Sequence, residues 1–440
     1  MSWLTERRLL AAAVLAWLVV AILSLVLGPP LGHDECAFAL IARGDATWLY
    51  KSRGVVAIAE VGIALGGSEW AIRLLMVPLG AGVVVGTYAV GRVVCDGKTG
   101  AWAAALVAGA HPMALRSAEL IGDLPATAAL LAAVALLAGE LSREGGPRWR
   151  IVLVAPALAA AFYFRYGSAP VIAIAGFAAT AIWWRAIVRR PAPYAAMVAL
   201  LVLLLVPHVL HSLDATGTWR GVLDISRTMP RRAYLGEGLV TYLTANPIMY
   251  YGALVAPVAI VGLATFWRFG KAGAFLGIVA LGQLVAIGIN THGQPRYVFL
   301  AAALFVVPGV ATLARVTQLQ KLTKLALGLV AVGWLGVAVA AVPYNQHLAK
   351  LRAPIVEAAR SIEADATGRP CVAVARIVPQ LMWYARCEGL MASYVGVVPW
   401  PVRRTYVISL PGHPMDPATL ERRSHVVPTR DPRTHVWVLD

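Results

Sequence analysis

Three ionisable residues in a row, His33, Asp34 and Glu35, stand just past an apolar stretch of membrane-spanning length, in GPPLGHDECAFALIARG (28–44). A carboxylate at the hydrocarbon boundary is costly unless it faces water or a partner, so its presence there points to chemistry. The chemistry a lone external carboxylate suits is removal of a proton from a hydroxyl. Successive helical residues point about 100° apart, so Asp34 and Glu35 cannot face one ligand equally. One of the two is expected to be catalytic and the other structural. The plainer reading makes Asp34 an N-cap that starts a short helix along the membrane surface. Another acid, Asp123, lies in AELIGDLPATAALL, beside Gly122 and two residues before Pro125, with Glu119 one turn earlier. It falls at the outer end of the fourth apolar run, again a costly place.

Cations accompany these acids. Arg43, Lys51, Arg53, Arg116, Arg165 and Arg296 lie close to the ends of apolar runs, on the side expected to be external. That side is normally poor in basic residues, and a phosphate bound at the outer interface would favour them there. In THGQPRYVFL, His292 and Arg296 sit in a turn pinned by Gly293 and Pro295, with Tyr297 following as an interfacial aromatic. Each feature has a plainer alternative: Arg296-Tyr297 as an interface anchor, His292 as a solvated loop residue, Arg165-Tyr166 as a snorkelling pair. Taken together they predict a water-filled cavity at membrane level with two acids and several cations. Such a cavity suits a lipid-phosphate leaving group and a hydroxyl nucleophile.

The elements that must position these residues are apolar helices. Of 440 residues, 59% are hydrophobic and 14% charged, with a mean hydropathy of +0.72. Soluble domains carry about a quarter charged residues, so the chain is expected to be a polytopic membrane protein. Its formal net charge of +16 resides in short clusters between apolar runs, as membrane topology and anionic headgroups require. No basic stripe with interleaved aromatics is present, which argues against a nucleic-acid partner. The four cysteines have no zinc-site spacing. The first apolar stretch, followed by Gly28-Pro29-Pro30, makes a poor cleavage site and is expected to remain as the first helix.

Apolar windows near 9–28, 70–93, 99–116, 121–140, 151–165, 169–187, 193–213, 248–267, 272–290, 297–314 and 325–343 predict about eleven spans. With a cytoplasmic N-terminus, the inside loops carry Arg7/Arg8, Arg92/Lys98, Arg143/Arg148/Arg150, Arg185/Arg189/Arg190, Arg268/Lys271 and Arg315/Lys321/Lys324. Alternate loops are thus all basic, in keeping with the positive-inside rule. The long loops 29–69 and 214–247 and the C-terminal end fall outside. Gly82 and Gly86 in GxxxG spacing are expected to pack against another helix. Residues 344–440 differ: RAPIVEAARSIEADA has helical periodicity, PCVAVAR, TYVISL and THVWVLD read as short strands, and DPATLERRS reads as a helix capped by Asp416. This predicts a small external α/β domain at 344–440 after a membrane domain at 1–343. Cys371 and Cys387 are candidates for a disulfide in it, the alternative being two free buried thiols.

The order of these elements resembles the GT-C superfamily of integral membrane glycosyltransferases. The nearest branch comprises the protein O-mannosyltransferases and the lipid A aminoarabinose transferases. The matching residues are HDECAFALIARG after the first span and GGSEWAIRLLMVPLGAGVVVGTYAVGR with its Glu-Trp-x-x-Arg start. AWAAALVAGAHPMALRSAELIGDLPATAALL follows, with Pro112 and Asp123, and then HGQPRYVFL. The resemblance implies an all-α GT-C membrane fold and transfer of a sugar from a polyprenyl-phosphate donor to a lipid, glycan or protein acceptor on the outer face of a bacterial-type plasma membrane. It implies Asp34 as catalytic base and Asp123 as the acid that orients donor or acceptor, with inversion at the anomeric carbon. Lys51, Arg53, Arg165 and Arg296 would bind the donor phosphate, and His33, Glu119, Tyr166, His292 and Tyr297 would line the pocket. YKSRG lacks the prolines many relatives have around this cation. Arg227, Arg231 and Arg232 in the loop 214–247 would close over the phosphate or meet lipid headgroups. No cofactor is required, since the lipid phosphate is already a good leaving group; Asp34, Asp123 and His292 leave a divalent cation open. A polysaccharide ligase or polymerase is the nearer rival, and a secondary transporter the more distant one. The transporter would place broken helices and charges at mid-membrane, whereas these charges gather at span ends.

Overall fold

The computed structural model describes residues 3–228, 233–316, 323–391, 404–411, 413–414 and 425–439. The chain divides into two compact units: one of residues 1–25, 52–55 and 75–341, the other of 26–51, 56–74 and 342–440. In chain order the helices of the first two-thirds begin with α1 (Trp3–Val26), α2 (His33–Arg43), α3 (Arg53–Ala64), α4 (Glu69–Leu74), α5 (Met76–Val94) and α6 (Gly97–Ala108). They continue with α7 (His111–Ala114), α8 (Asp123–Leu141), α9 (Val154–Phe164), α10 (Ala169–Arg189) and α11 (Pro191–Thr216). Then come α12 (Gly221–Thr228), α13 (Glu237–Thr244), α14 (Pro247–Tyr251), α15 (Val255–Thr265), α16 (Gly270–Asn290) and α17 (Phe299–Val316). The long α18 (Thr323–Ala366) leads to the C-terminal part.

Among the described residues, eight helical stretches are long and apolar enough to cross a membrane. The difference from eleven windows has local causes. The window 99–116 breaks after α6, where Gly109 caps the helix and Pro112 opens the four-residue α7. The window 151–165 gives a tight 3₁₀ turn, Trp149–Leu153, and then the short α9. The two windows across 248–290 form one apolar stretch, Val255–Asn290, bent at the 3₁₀ turn Phe266–Phe269 between α15 and α16. The window 325–343 is only the first half of α18, which runs on without interruption through 344–366.

Small residues set the helix spacing in the first unit. A Cβ on Gly82 would stand 2.9 Å from Cβ of Ala128, and one on Gly86 2.7 Å from Cβ of Leu131, so the GxxxG face of α5 packs on α8 as expected. Gly91 of α5 meets Gly100 of α6 backbone to backbone. Gly262 of α15 and Gly309 of α17 likewise press against Phe305 and Val258 of the facing helix. Helix α17 is buried along most of its length, from Phe299 to Ala311.

The second unit contains α2, α4 and a five-stranded sheet. The strands are β1 (Cys371–Ala375), β2 (Glu388–Met391), β3 (Arg404–Ser409), β4 (His425–Val427) and β5 (His435–Leu439), in the order β2-β1-β3-β5-β4. β2, β1 and β3 are parallel, while β5 is antiparallel to β3 and β4. The three strand-like runs of the sequence are β1, β3 and β5. A helix α19 (Pro379–Ala385) connects β1 to β2, and Cys371 is joined to Cys387 by a disulfide. One face of the sheet packs on the end of α18 through Ile355, Ala359, Ile362, Tyr406 and Ile408. Leu40 of α2 packs with Val378 and Met382 at α19. The capped helix expected at DPATLERRS lies outside the described residues, as do Arg231 and Arg232.

Candidate active site

Two clusters of ionisable groups emerge, one in each unit. In the second unit, α2 starts at His33 with Gly32 as its N-cap. The cap is supplied by Glu35 from three residues inside: its Oε2 accepts the N–H of Gly32 at 2.7 Å. Asp34 is therefore not the cap, which corrects the plainer reading. Glu35 is only 3% exposed and is gripped by Arg73 of α4 at both oxygens, 2.7 Å each. Arg352 of α18 adds a third contact at 3.3 Å, and the two guanidinium groups also donate to the carbonyls of Pro29 and Pro30. Burial alone would raise the Glu35 pKa; the charge and hydrogen bonds of Arg73, with Arg352 and Gly32, outweigh it and bring it down to about 2. Of the acidic pair, Glu35 is the structural member.

Asp34 is placed differently. Its side chain is 36% exposed, and Nζ of Lys51 donates to Oδ1 at 2.6 Å. Lys51 is itself buried, its ammonium lying over the rings of Phe38 (5.0 Å) and Tyr50 (5.2 Å). Lys51, expected at the donor phosphate, is ion-paired to Asp34. Tyr50 is held above its ordinary pKa by burial and by Asp34. His33, at the open start of α2, is held below its ordinary pKa by the surrounding protein and by Lys51, against the pull of Asp34.

The other cluster lies in the first unit, at the start of α8. Asp123 is 7% exposed and is ion-paired to Arg165 through Oδ1, with Arg296 at 3.8 Å from Oδ2. Gly122 places it: a side chain there would run into the carbonyl of Phe164, so the start of α8 lies directly against the end of α9, where Arg165 follows. Arg165 also stacks on Tyr297 at 4.2 Å, and Arg296 lies 5.5 Å from the same ring. The turn that carries them is held from three sides. Tyr250 donates to the carbonyl of Gly293, while Gln283 donates to the carbonyl of Tyr297 and accepts the N–H of Ala301. His292 accepts from the amide of Gln294 at 2.8 Å, and its Nδ1 is buried with no hydrogen-bond partner among the described residues. Asp123, Arg165, Arg296 and Tyr297, far apart in sequence, thus form one cluster with two guanidinium groups held against one carboxylate. Two cations against one anion leave an excess positive charge suited to an anionic ligand.

The remaining expected residues serve nearby. Tyr166 is buried against Phe162 and His208, and its hydroxyl accepts the N–H of Arg53 at 3.4 Å, making it a packing residue beneath that arginine. Arg53 is exposed, with its guanidinium 3.5 Å from His211 Nε2. Glu119 pairs with Arg116 at 3.1 Å. Among the described residues, no group of three or more His, Cys, Asp or Glu side chains is arranged to hold a metal ion. Sequence reasoning missed Arg352, Gln283, Tyr250 and the bond from Tyr384 to Glu69 (2.7 Å). Arg73 was visible as part of the Glu-Trp-x-x-Arg start, but nothing in the sequence names its partner.

Residues 53–211 match the family described as dolichyl-phosphate-mannose-protein mannosyltransferase. No curated protein sequence matches the chain. Among solved structures, the chain is similar to ArnT from Cupriavidus metallidurans bound to undecaprenyl phosphate, with a TM-score of 0.71 at 14% identity over 100% of this chain and 98% of that one. It is also similar to the Archaeoglobus fulgidus oligosaccharyltransferase AglB in complex with an inhibitory peptide and a dolichol-phosphate, with a TM-score of 0.58 at 11% identity over 92% of this chain and 70% of that one. The chain therefore has the fold of ArnT, and its residues 53–211 match the dolichyl-phosphate-mannose-protein mannosyltransferase family model.

Proposed function

We propose that this protein is a membrane glycosyltransferase that moves a sugar from a polyprenyl-phosphate donor to an acceptor hydroxyl on the extracytoplasmic face, with inversion. The observation that carries the reading is the contrast within the acidic pair, a half-open Asp34 beside a fully engaged Glu35. A base must reach its substrate, and only Asp34 retains that access. The undecaprenyl phosphate and dolichol-phosphate bound by the ArnT and AglB structures support a lipid-phosphate donor. The two guanidinium groups beside Asp123 offer charge for such a phosphate.

In this reaction Asp34 takes the acceptor proton while the acceptor oxygen attacks the anomeric carbon from the face opposite the phosphate. The bond between that carbon and the phosphate oxygen breaks, and the polyprenyl phosphate leaves with the electron pair. Arg165 and Arg296 stabilise the charge that develops on it. Lys51 keeps the Asp34 carboxylate oriented.

The test is Asp34→Asn in purified protein supplied with a panel of undecaprenyl-phosphate sugars. Turnover is expected to fall by about a hundredfold or more, with undecaprenyl phosphate binding unchanged and a lower melting temperature, since the buried Lys51 loses its carboxylate. Full turnover in that variant disposes of Asp34 as the base.

A further inference from the structure

The second unit contains a cavity that neither carboxylate cluster uses. It has a volume of about 360 Å³, the size of a pocket for a small organic molecule, and its wall includes Arg43, Arg360, Arg386, Glu363, Trp383 and Tyr384. A second cavity of about 710 Å³ shares Arg43 and Arg386. Three guanidinium groups face one carboxylate in the smaller cavity. Arg386 lies 3.6 Å from Glu363 across an exposed contact that binds weakly, and Arg360 has no ion pair among the described residues. Arg43, ion-paired to Asp45, lies over the ring of Trp383 at 4.6 Å. A guanidinium stacked in this way keeps N–H groups at its edge for a planar or tetrahedral oxyanion.

Arg386 adds an independent sign. Its backbone lies in the left-handed region, φ 55°, directly after α19 and before Cys387 of the disulfide. Glycine is the residue that adopts this conformation without cost, and the end of a helix is where it usually does so. A long charged side chain is held instead at a position that favours none. An arginine held in this conformation at a cavity rich in arginine is compatible with a side chain kept for binding.

We propose that this cavity is a binding site for an anionic saccharide, a sugar-sized body carrying a phosphate or carboxylate. Arg43, Arg360 and Arg386 hold the anion, and Trp383 and Tyr384 line the space for the ring. The site does not depend on the transfer reaction. The same chemistry is offered by a soluble phosphosugar or by a phosphorylated glycolipid headgroup.

The left-handed backbone makes the test clean, because Arg386→Gly removes the guanidinium while relieving strain. Full-length protein in phosphatidylcholine nanodiscs is titrated with glucose 6-phosphate, glucose and inorganic phosphate by saturation-transfer NMR. A parallel titration uses vesicles containing a phosphorylated glycolipid. Glucose 6-phosphate, or the glycolipid alone, is expected to bind, and Arg386→Gly and Arg360→Ala are each expected to weaken that binding about tenfold. The melting temperature of Arg386→Gly is expected to stay level or rise. Which of the two ligands binds identifies the source. The proposal is overturned if neither binds, if inorganic phosphate binds as well as glucose 6-phosphate, or if Arg386→Gly binds as the parent does.

Discussion

Two neighbouring carboxylates on one helix meet opposite conditions, and the difference lies in what each can touch. Glu35 is buried with two arginines, whose guanidinium groups also bind backbone carbonyls, and a backbone N–H; Asp34 is partly exposed and paired with Lys51. Breaking a buried pair by removing one partner strands the other charge, so Glu35→Gln is expected to cost about 3–5 kcal/mol and lower the melting temperature accordingly. The pH dependence has a definite sign. The folded-state pKa of Glu35 is about 2, below its ordinary value of 4.5, so its contribution is fully present above about pH 4.5 and is lost as pH falls towards 2. That contribution is on the order of 3 kcal/mol, and acid melting of the parent against Glu35→Gln measures it. At this scale the sequence was half legible. Spacing on a helix separates Asp34 from Glu35, but which one is buried depends on Arg73 and Arg352, and no local pattern announces them. Asp123, Arg165, Arg296 and Tyr297 were each legible as residues at the end of an apolar run, but nothing in the sequence sorted these four from the other acids and cations at such ends.

At the scale of elements, helix ends position the chemistry. The start of α8 can approach the end of α9 only because residue 122 has no side chain. Gly122→Ala would force a Cβ into the Phe164 carbonyl, pushing apart the segments that carry Asp123 and Arg165. A loss of about 1–3 kcal/mol of stability is expected, read by thermal melting, together with weaker undecaprenyl phosphate binding than in the parent. Unaltered binding in that variant would mean that the Asp123–Arg165 contact does not serve the donor. Helices with an uninterrupted apolar period were legible from sequence, as were the strands bounded by Gly and Pro. The breaks were less so: 99–116 reads as one span by hydropathy, while Gly109 and Pro112 end the helix through backbone geometry that hydropathy does not register. The merging of 325–343 with RAPIVEAARSIEADA into α18 is the reverse case. Pro343 and Pro354 sit inside that helix and suggest a stop that the fold does not make.

For the molecule as a whole, the basic clusters and the disulfide constrain its placement. Six pairs or triplets of Arg and Lys lie between or at the bends of the apolar stretches, and disulfides are favoured in oxidising compartments. An alkaline phosphatase fused after residue 440 is expected to be active, and a green fluorescent protein at the same place dark, with the converse at the N-terminus. Fluorescence from the C-terminal fusion would reverse the orientation. Class was legible in the sequence because it rests on sums over many residues, which local surprises do not upset. The grip on Glu35 has a last consequence, for how the chain is made. Arg352 lies 317 positions after Glu35. At about 5–20 residues per second, a ribosome delivers it roughly 15–60 s later. Throughout that interval the newborn N-terminal segment carries a carboxylate lacking one of its arginines, so its final locking waits for nearly the whole protein to be synthesised.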